Sequence, residues 1–364
     1  TVAKTHRLIE GRTPDRLLRR LADNEKLLIE LHTLLANTAK ENGRITPAGE
    51  WILDNFYLIE DQIAIGKKHL PKMYSQGLPR LANGNSAGLP RVYDIALEII
   101  SHSDGRVDLQ SLSSFVAAYQ TITKLTLGEL WAIPIMLRLT LIENLRRVSS
   151  LIAMAKIDQN LATFWAEQMI EAAEKKPKDI ILLIADMARS ATLLSSAFVA
   201  ELTRRLQGKG PELAMTLTWI EQRLSESGFT SNELIYAENQ KQAADQVSVS
   251  NSIGSLRFLG ATDWREFVEK LSSVDQVLQE DAGGLYALMD FATRDRYRHV
   301  VETIAKKSSL PEPEIAQIAI NLAKDIAAHT GENDRTAHVG YYLVDKGRAH
   351  TEKTAGVHFS IIQK

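Results

Sequence analysis

The chain has 364 residues, 45 % of them hydrophobic, enough apolar material for one large core or two ordinary ones. Forty-three basic residues against 45 acidic ones leave a formal charge of -2, so no global field favours nucleic acid and no run of like charge marks a membrane tail. The lack of cysteine excludes disulfides, thiolate metal sites and a cysteine nucleophile.

The opening TVAKTHRLIEG lacks the apolar stretch of a secretory signal and no Asn-x-Ser/Thr sequon occurs, so the chain reads as cytosolic, with residues 1–12 as a tail. Thr13-Pro14 is a cap followed by proline at the first helical position. Leucines three and four apart then predict a long amphipathic helix that stops at Asn42-Gly43. Thr46-Pro47 repeats the start signal, and Ile52, Phe56, Ile59 and Ile63 form the stripe of a second helix closed by Leu70-Pro71. Prolines and glycines crowd 77–90 (GLPRLANGNSAGLP), which predicts an ordered loop. Helices resume at Pro90 and at Asp108, separated by Asp104-Gly105.

Residues 124–148, KLTLGELWAIPIMLRLTLIENLRRV, organise the chain. Thr126 and Glu129 have the spacing of a capping box. Beyond them apolar residues occupy nearly every face, which predicts a buried helix, kinked where Pro134 removes a ladder hydrogen bond. The apolar run is broken before the about 20 residues that a membrane span requires. Arg138 lies within this core-like stretch, and neither Glu129 nor Glu143 stands three or four residues from it. Its partner is expected from another helix, with Asp54, Glu60, Asp94 and Glu98 as the acids in view.

Helical hairpins continue beyond residue 155, with breaks at 175–179, 207–211, Gly228 and Gly260-Ala261. Thr230 and Glu233 form a second capping box and Asp263 with Glu266 a third, followed by helices over 283–307, 311–330 and 333–346. No stretch alternates with period two. The fold class that follows is all-α, a bundle of roughly a dozen helices over 13–348. A sub-domain break is placed near 175–179 or 207–211, and 349–364 form a C-terminal extension.

Several constellations invite chemistry. Gly84-Asn85-Ser86-Ala87-Gly88 matches G-x-S-x-G in letters, but that elbow needs a strand before it and a helix after it, and here prolines flank both sides. The nine histidines are scattered singly, and no phosphate-loop, dinucleotide or metalloprotease motif occurs; no catalytic, cofactor or metal residue is assigned. Trp51, Asp54, Asn55, Tyr57 and Glu60 could serve a sugar through ring stacking and paired carboxylates, although the polar face of an amphipathic helix accounts for them more simply. Ser248, Asn251, Ser252 and Ser255 read as a small-residue packing face. Asp290, Arg294, Arg298 and Glu302 fall at successive fours, which predicts ion pairs within one helix, or, if buried, a ladder that fixes neighbouring helices.

Long strings of the chain resemble the N-terminal region of the cyclic β-1,2-glucan synthases. They are ITPAGEWILDNFYLIEDQI, LPRVYDIALEIISHSDGRVD, LTLGELWAIPIMLRLTLIENLRRV, SVSNSIGSLRFLGATDWREFVE, GLYALMDFATRDRYRHVVE and HVGYYLVDKGR, in family order over 13–348. The resemblance implies a helical segment on the cytoplasmic face of the bacterial inner membrane, ahead of transmembrane helices and a glycosyltransferase domain that builds β-1,2-glucan from UDP-glucose. The Asp-x-Asp and Gln-x-x-Arg-Trp motifs of that transferase do not occur here. UDP-glucose and a divalent metal are therefore implied for the separate transferase domain and no cofactor for this segment, which is expected to transfer no glucose alone. The resemblance leaves a candidate contact surface of Trp51, Asp54, Asn55, Tyr57, Glu60, Arg91, Tyr93, Asp94, Trp131, Arg138, Asn144, Arg294 and Arg298. Two readings follow. One is a non-catalytic scaffold whose partners are the glycosyltransferase and transmembrane parts of the same polypeptide; the other is a module that binds β-1,2-glucan or shapes the donor site. An independent all-α carbohydrate-active enzyme ranks below both.

Overall fold

Local signals place most of the helices. The computed structural model describes residues 2–9, 16–41, 43–70, 77–190, 195–331 and 334–357, among which the chain forms seventeen α-helices and one two-stranded ladder. The expected signals at Thr13-Pro14, Asn42, Pro71 and Asn333 lie outside the described residues. Val2–Thr5 (α1) and Leu8–Ile9 (β1) precede Leu17–Lys40 (α2), Pro47–Asp54 (α3), Phe56–His69 (α4), Arg80–Leu81 (β2), Arg91–His102 (α5), Leu109–Gln120 (α6) and Leu127–Lys175 (α7). Ile180–Ser190 (α8), Ser196–Leu206 (α9), Ala214–Ser225 (α10) and Ser231–Ala261 (α11) come next. Trp264–Leu271 (α12), Ser273–Leu278 (α13), Phe291–Ala305 (α14), Glu312–Thr330 (α15), Val339–Val344 (α16) and Arg348–Thr354 (α17) complete the order. The fold is all-α. Its one ladder pairs β1 with β2 antiparallel, Leu8 opposite Leu81, two residues a strand and too short to show periodicity.

The helix expected over 47–70 is two helices. Asn55 donates from its side-chain amide to the Trp51 carbonyl at 2.9 Å, competing with the helical ladder, and its carbonyl oxygen accepts from Arg257 on α11. Trp51 and Asp54 therefore stand on α3 while Tyr57 and Glu60 stand on α4. The final helix expected over 333–346 is likewise split into a 3-10 turn at Arg335–Ala337 and α16.

The capping box of α7 forms as expected: the Glu129 amide donates to the Thr126 hydroxyl at 3.2 Å and the Thr126 amide to the Glu129 carboxylate at 2.9 Å. Thr230 and Glu233 make the same box on α11, whereas Asp263 caps α12 through the Arg265 amide alone. From its cap α7 runs 49 residues, about 74 Å at 1.5 Å per residue, with Pro134 buried inside it. Its first part is the spine of one core with α2, α4, α5, α6 and the end of α11; its last part enters a separate core with α8, α9 and α10. Helices α13 to α17 enclose a third. The passage between the first two cores falls inside α7, between Ile152 and Ala162, and at no linker.

The serine face of α11 is a packing face. Asn144 donates to Ser248 and Ser252 at 3.0 Å each, while Ser255 donates to the Gly105 carbonyl and accepts from the Val107 amide, both at 2.8 Å. Gly105 has φ +81°, and a Cβ there would stand 2.3 Å from the Ser252 hydroxyl, so glycine alone lets the turn after α5 approach α11.

The described part of the expected N-terminal tail is docked. Ala3 is buried, and the His6 ring lies 2.8 Å from the Tyr119 hydroxyl and 3.0 Å from Asp94. At the other end, α17 seats Thr351, whose hydroxyl donates to the Tyr342 carbonyl at 2.8 Å. No described helix is long and apolar enough to cross a membrane.

Candidate functional site

Some charged and aromatic residues of the family-like strings, among them Arg91, Tyr93, Glu129, Arg138, Glu143 and Arg298, point inward and meet in three polar clusters, while many others are exposed. The first sits at the start of α7. Arg91, 2 % exposed, grips the fully buried Glu129 with two hydrogen bonds, 2.8 Å from Nε and 2.6 Å from Nη2, and also donates to the Lys124 carbonyl at 3.1 Å. Burial alone would lower the Arg91 pKa, but the Glu129 carboxylate outweighs it and holds it above the ordinary value. The same carboxylate caps α7, so one acid fixes α5 to the helix start. From α15, Glu312 accepts the next amide, Leu127, at 2.8 Å. A cavity of about 420 Å³ opens beside it, bounded by Leu78, Pro79, Lys124, Glu302 and Leu310. Burial pushes the Glu312 carboxyl up to about 7; the Leu127 amide opposes the rise, and Glu302 and Glu129 add to it.

The second cluster lies midway along α7. Glu143 accepts from both Arg20 of α2 and the Tyr93 hydroxyl of α5. Burial would raise its pKa, yet these two donors together hold it below the usual carboxylate range. Arg138 is buried at 7 % exposure, as the central helix required, and its partner does come from another helix. That partner is an amide and not one of the expected acids: Nε donates to Gln62 Oε1 of α4 at 2.8 Å, and desolvation lowers the Arg138 pKa, with Asp61 opposing from a distance. Asp94, one of the acids in view, faces His6.

The third cluster revises the ladder on α14. Arg298 is fully buried and pairs with Glu269 of α12 at 2.9 Å, Asp275 of α13 at 2.7 Å and Asp295 at 3.2 Å, while Arg294 reaches Glu269 at 3.0 Å. Asp275 also accepts from the Tyr286 hydroxyl at 2.8 Å. Asp290 instead caps α14 through the Thr293 amide, and Glu302 pairs with Lys306. The arginines thus bind neighbouring helices, which is what burial of the ladder implied.

The remaining candidates are dispersed. Trp51, Asp54, Tyr57 and Glu60 are exposed, on two helices; Asn55 and Asn144 serve the contacts already described. Trp131 is half-buried, edge-on to Phe291 with centroids 6.3 Å apart. The thirteen candidates do not line one cleft. Sequence reasoning missed Gln62, Glu269, Asp275 and Glu312, whose contacts cross 23 to 185 residues of chain. It also missed four exposed apolar side chains in register on α7: Met154, Ile157, Leu161 and Phe164.

No family model matches the chain. Over 357 residues it is 30 % identical to the cyclic beta-(1,2)-glucan synthase NdvB of Rhizobium meliloti (strain 1021). The chain is related to one segment of that synthase. The match covers 98 % of this chain but 12 % of the relative's length. All three clusters lie within the matched length.

Proposed function

We propose that the chain is a non-catalytic helical scaffold within a cyclic β-1,2-glucan synthase, on the cytoplasmic face of the inner membrane, holding the glycosyltransferase and transmembrane parts of the same polypeptide. The observation that carries this reading is the inward pairing of Arg91, Glu129, Tyr93, Glu143 and Arg298. Groups engaged in buried contacts between helices are not available to a sugar or a diphosphate. They over-determine helix positions, which is what a scaffold requires. A glucan-binding module would instead present stacked aromatics beside unpaired polar groups. Tyr93 is buried, and Trp51 and Tyr57 stand on either side of the Asn55 break.

The test is residue-level NMR of the isolated chain titrated with linear β-1,2-glucan and with UDP-glucose. The scaffold reading expects no saturable shift with either at millimolar concentration. Saturable shifts converging on one cleft would overturn it in favour of the binding module.

A further inference from the structure

Over residues 153–161, α7 passes from one core to the next, and along its open side stand Met154 (63 % exposed), Ile157 (61 %), Leu161 (38 %) and Phe164 (53 %). Their spacing of three, four and three residues places all four within about 80° of one helix face. The packed side of the same turns holds Ala155, Ala162 and Ala166, all buried. Other large exposed apolar residues, such as Leu288 and Tyr236, stand on other elements in no such register. Scattered apolar residues are ordinary on a surface, whereas four in register form the seam of a helix pair that lacks its second helix.

We propose that this stripe docks an amphipathic helix contributed by the longer synthase polypeptide outside the segment described, an inference that rests on the scaffold reading above. The area chooses the occupant. At these exposures the four side chains present roughly 400 Å², about half of what each partner in a stable separate complex buries. A second copy of the chain would add no more than the same small patch. A helix tethered in the same polypeptide meets the stripe at an effective concentration on the order of millimolar, where so small a seam suffices. The match covers 12 % of the relative's length, so that relative has polypeptide outside it to supply such a helix. Methionine and phenylalanine suit the task, since they adapt to an apolar partner face without a buried polar group to satisfy.

The chain contains no cysteine, so Ile157→Cys, with Gln110→Cys as an exposed reference site, reports access to maleimide. Labelling is followed by peptide mass spectrometry in the isolated chain and in the full-length synthase. Ile157→Cys should react at the reference rate in the isolated chain and at least tenfold more slowly in the full-length protein. Equal rates in both would overturn the docking surface. Concentration-dependent protection in the isolated chain would also overturn it, because the occupant would then be a second copy. The scaffold reading fails separately: glucan synthesis that survives deletion of residues 2–357 sinks that reading. Synthesis lost on that deletion but retained with glutamine at all four stripe positions sinks the stripe alone.

Discussion

Arg138 keeps its charge at 7 % exposure with a neutral amide as its hydrogen-bond partner, and it forms no ion pair among the described residues. In Arg138→Met the charge-assisted bond to Gln62, about 1.5–3 kcal/mol, disappears. So does the desolvation penalty of a buried ion, which is several kcal/mol and here is offset only in part, by Asp61 from a distance. The methionine stem retains the packing of the arginine stem, whose Cδ lies by Gly66 between α4 and α7. The two effects nearly cancel, so Arg138→Met should fall within about 1.5 kcal/mol of the parent. Arg138→Ala loses the same bond and leaves a cavity besides, which costs about 2–5 kcal/mol. The double change Arg138→Met with Gln62→Leu removes the orphaned carbonyl oxygen of Gln62 too, giving up only that amide's 3.1 Å bond to the exposed Asp61, and should exceed the parent in stability by about 1–3 kcal/mol. Urea unfolding followed by circular dichroism gives all three as midpoint shifts at constant slope. If Arg138→Met is as damaging as Arg138→Ala, the guanidinium itself stabilises the central helix and this reasoning is wrong.

Arg298→Ala leaves the buried Asp275 without its ion-pair partner, although Glu269 keeps Arg294, and should cost about 3–5 kcal/mol, whereas Arg294→Ala, at a partly exposed pair, should cost about 1 kcal/mol or less. Equal thermal midpoints for the two variants would contradict the assignment of Arg298 as the pin between α14 and α13. Gly105→Ala combines a left-handed φ with a 2.3 Å approach to Ser252, and a loss of about 2 kcal/mol or more is expected in the same urea assay. A neutral outcome would mean the turn rests on α11 less closely than described. Glu312 titrates at about 7 in the fold against 4.5 in an open chain. Its raised value contributes stability that is fully present below pH 4.5 and lost as pH rises through 7. At about 1.4 kcal/mol per pH unit this is about 3 kcal/mol. Glu312→Gln keeps an acceptor for the Leu127 amide, so its midpoint should match the parent at pH 4 and exceed it at pH 8; equal midpoints at pH 8 would show that the carboxyl is not buried at this joint.

What the chain declares in advance is local. Thr126 with Glu129 and Thr230 with Glu233 specify their own helix starts, because both partners of a capping box lie within one turn, and Asp104-Gly105 marks its stop for the same reason. The burial of the central helix was legible in its all-round apolar faces. Its length was not: past Ile152 the exposed Met154, Ile157 and Phe164 break the inward pattern that marks a helix continuing in one core. Nor does spacing reveal partners across the fold. Fours on α14 fit pairs within the helix, yet Glu269 and Asp275 stand 29 and 23 residues before Arg298 and compete better because they are brought to it in three dimensions. For Arg138, charge pointed to an acid, but the helix that packs against it presents Gln62 there. Asn55 broke α3 from α4 within an unbroken apolar stripe, since a side chain that bonds its own backbone carries no periodic signature.

The scaffold reading is tested most directly by the UDP-glucose dependence of glucan synthesis in the full-length synthase carrying Arg298→Ala, measured at temperatures across the unfolding of this segment. A scaffold sets how many molecules are active and not how each binds its donor. The maximal rate should therefore fall in step with the folded fraction while KM for UDP-glucose stays constant. A tenfold rise in KM while the segment remains folded would place these residues at the donor site and contradict the account.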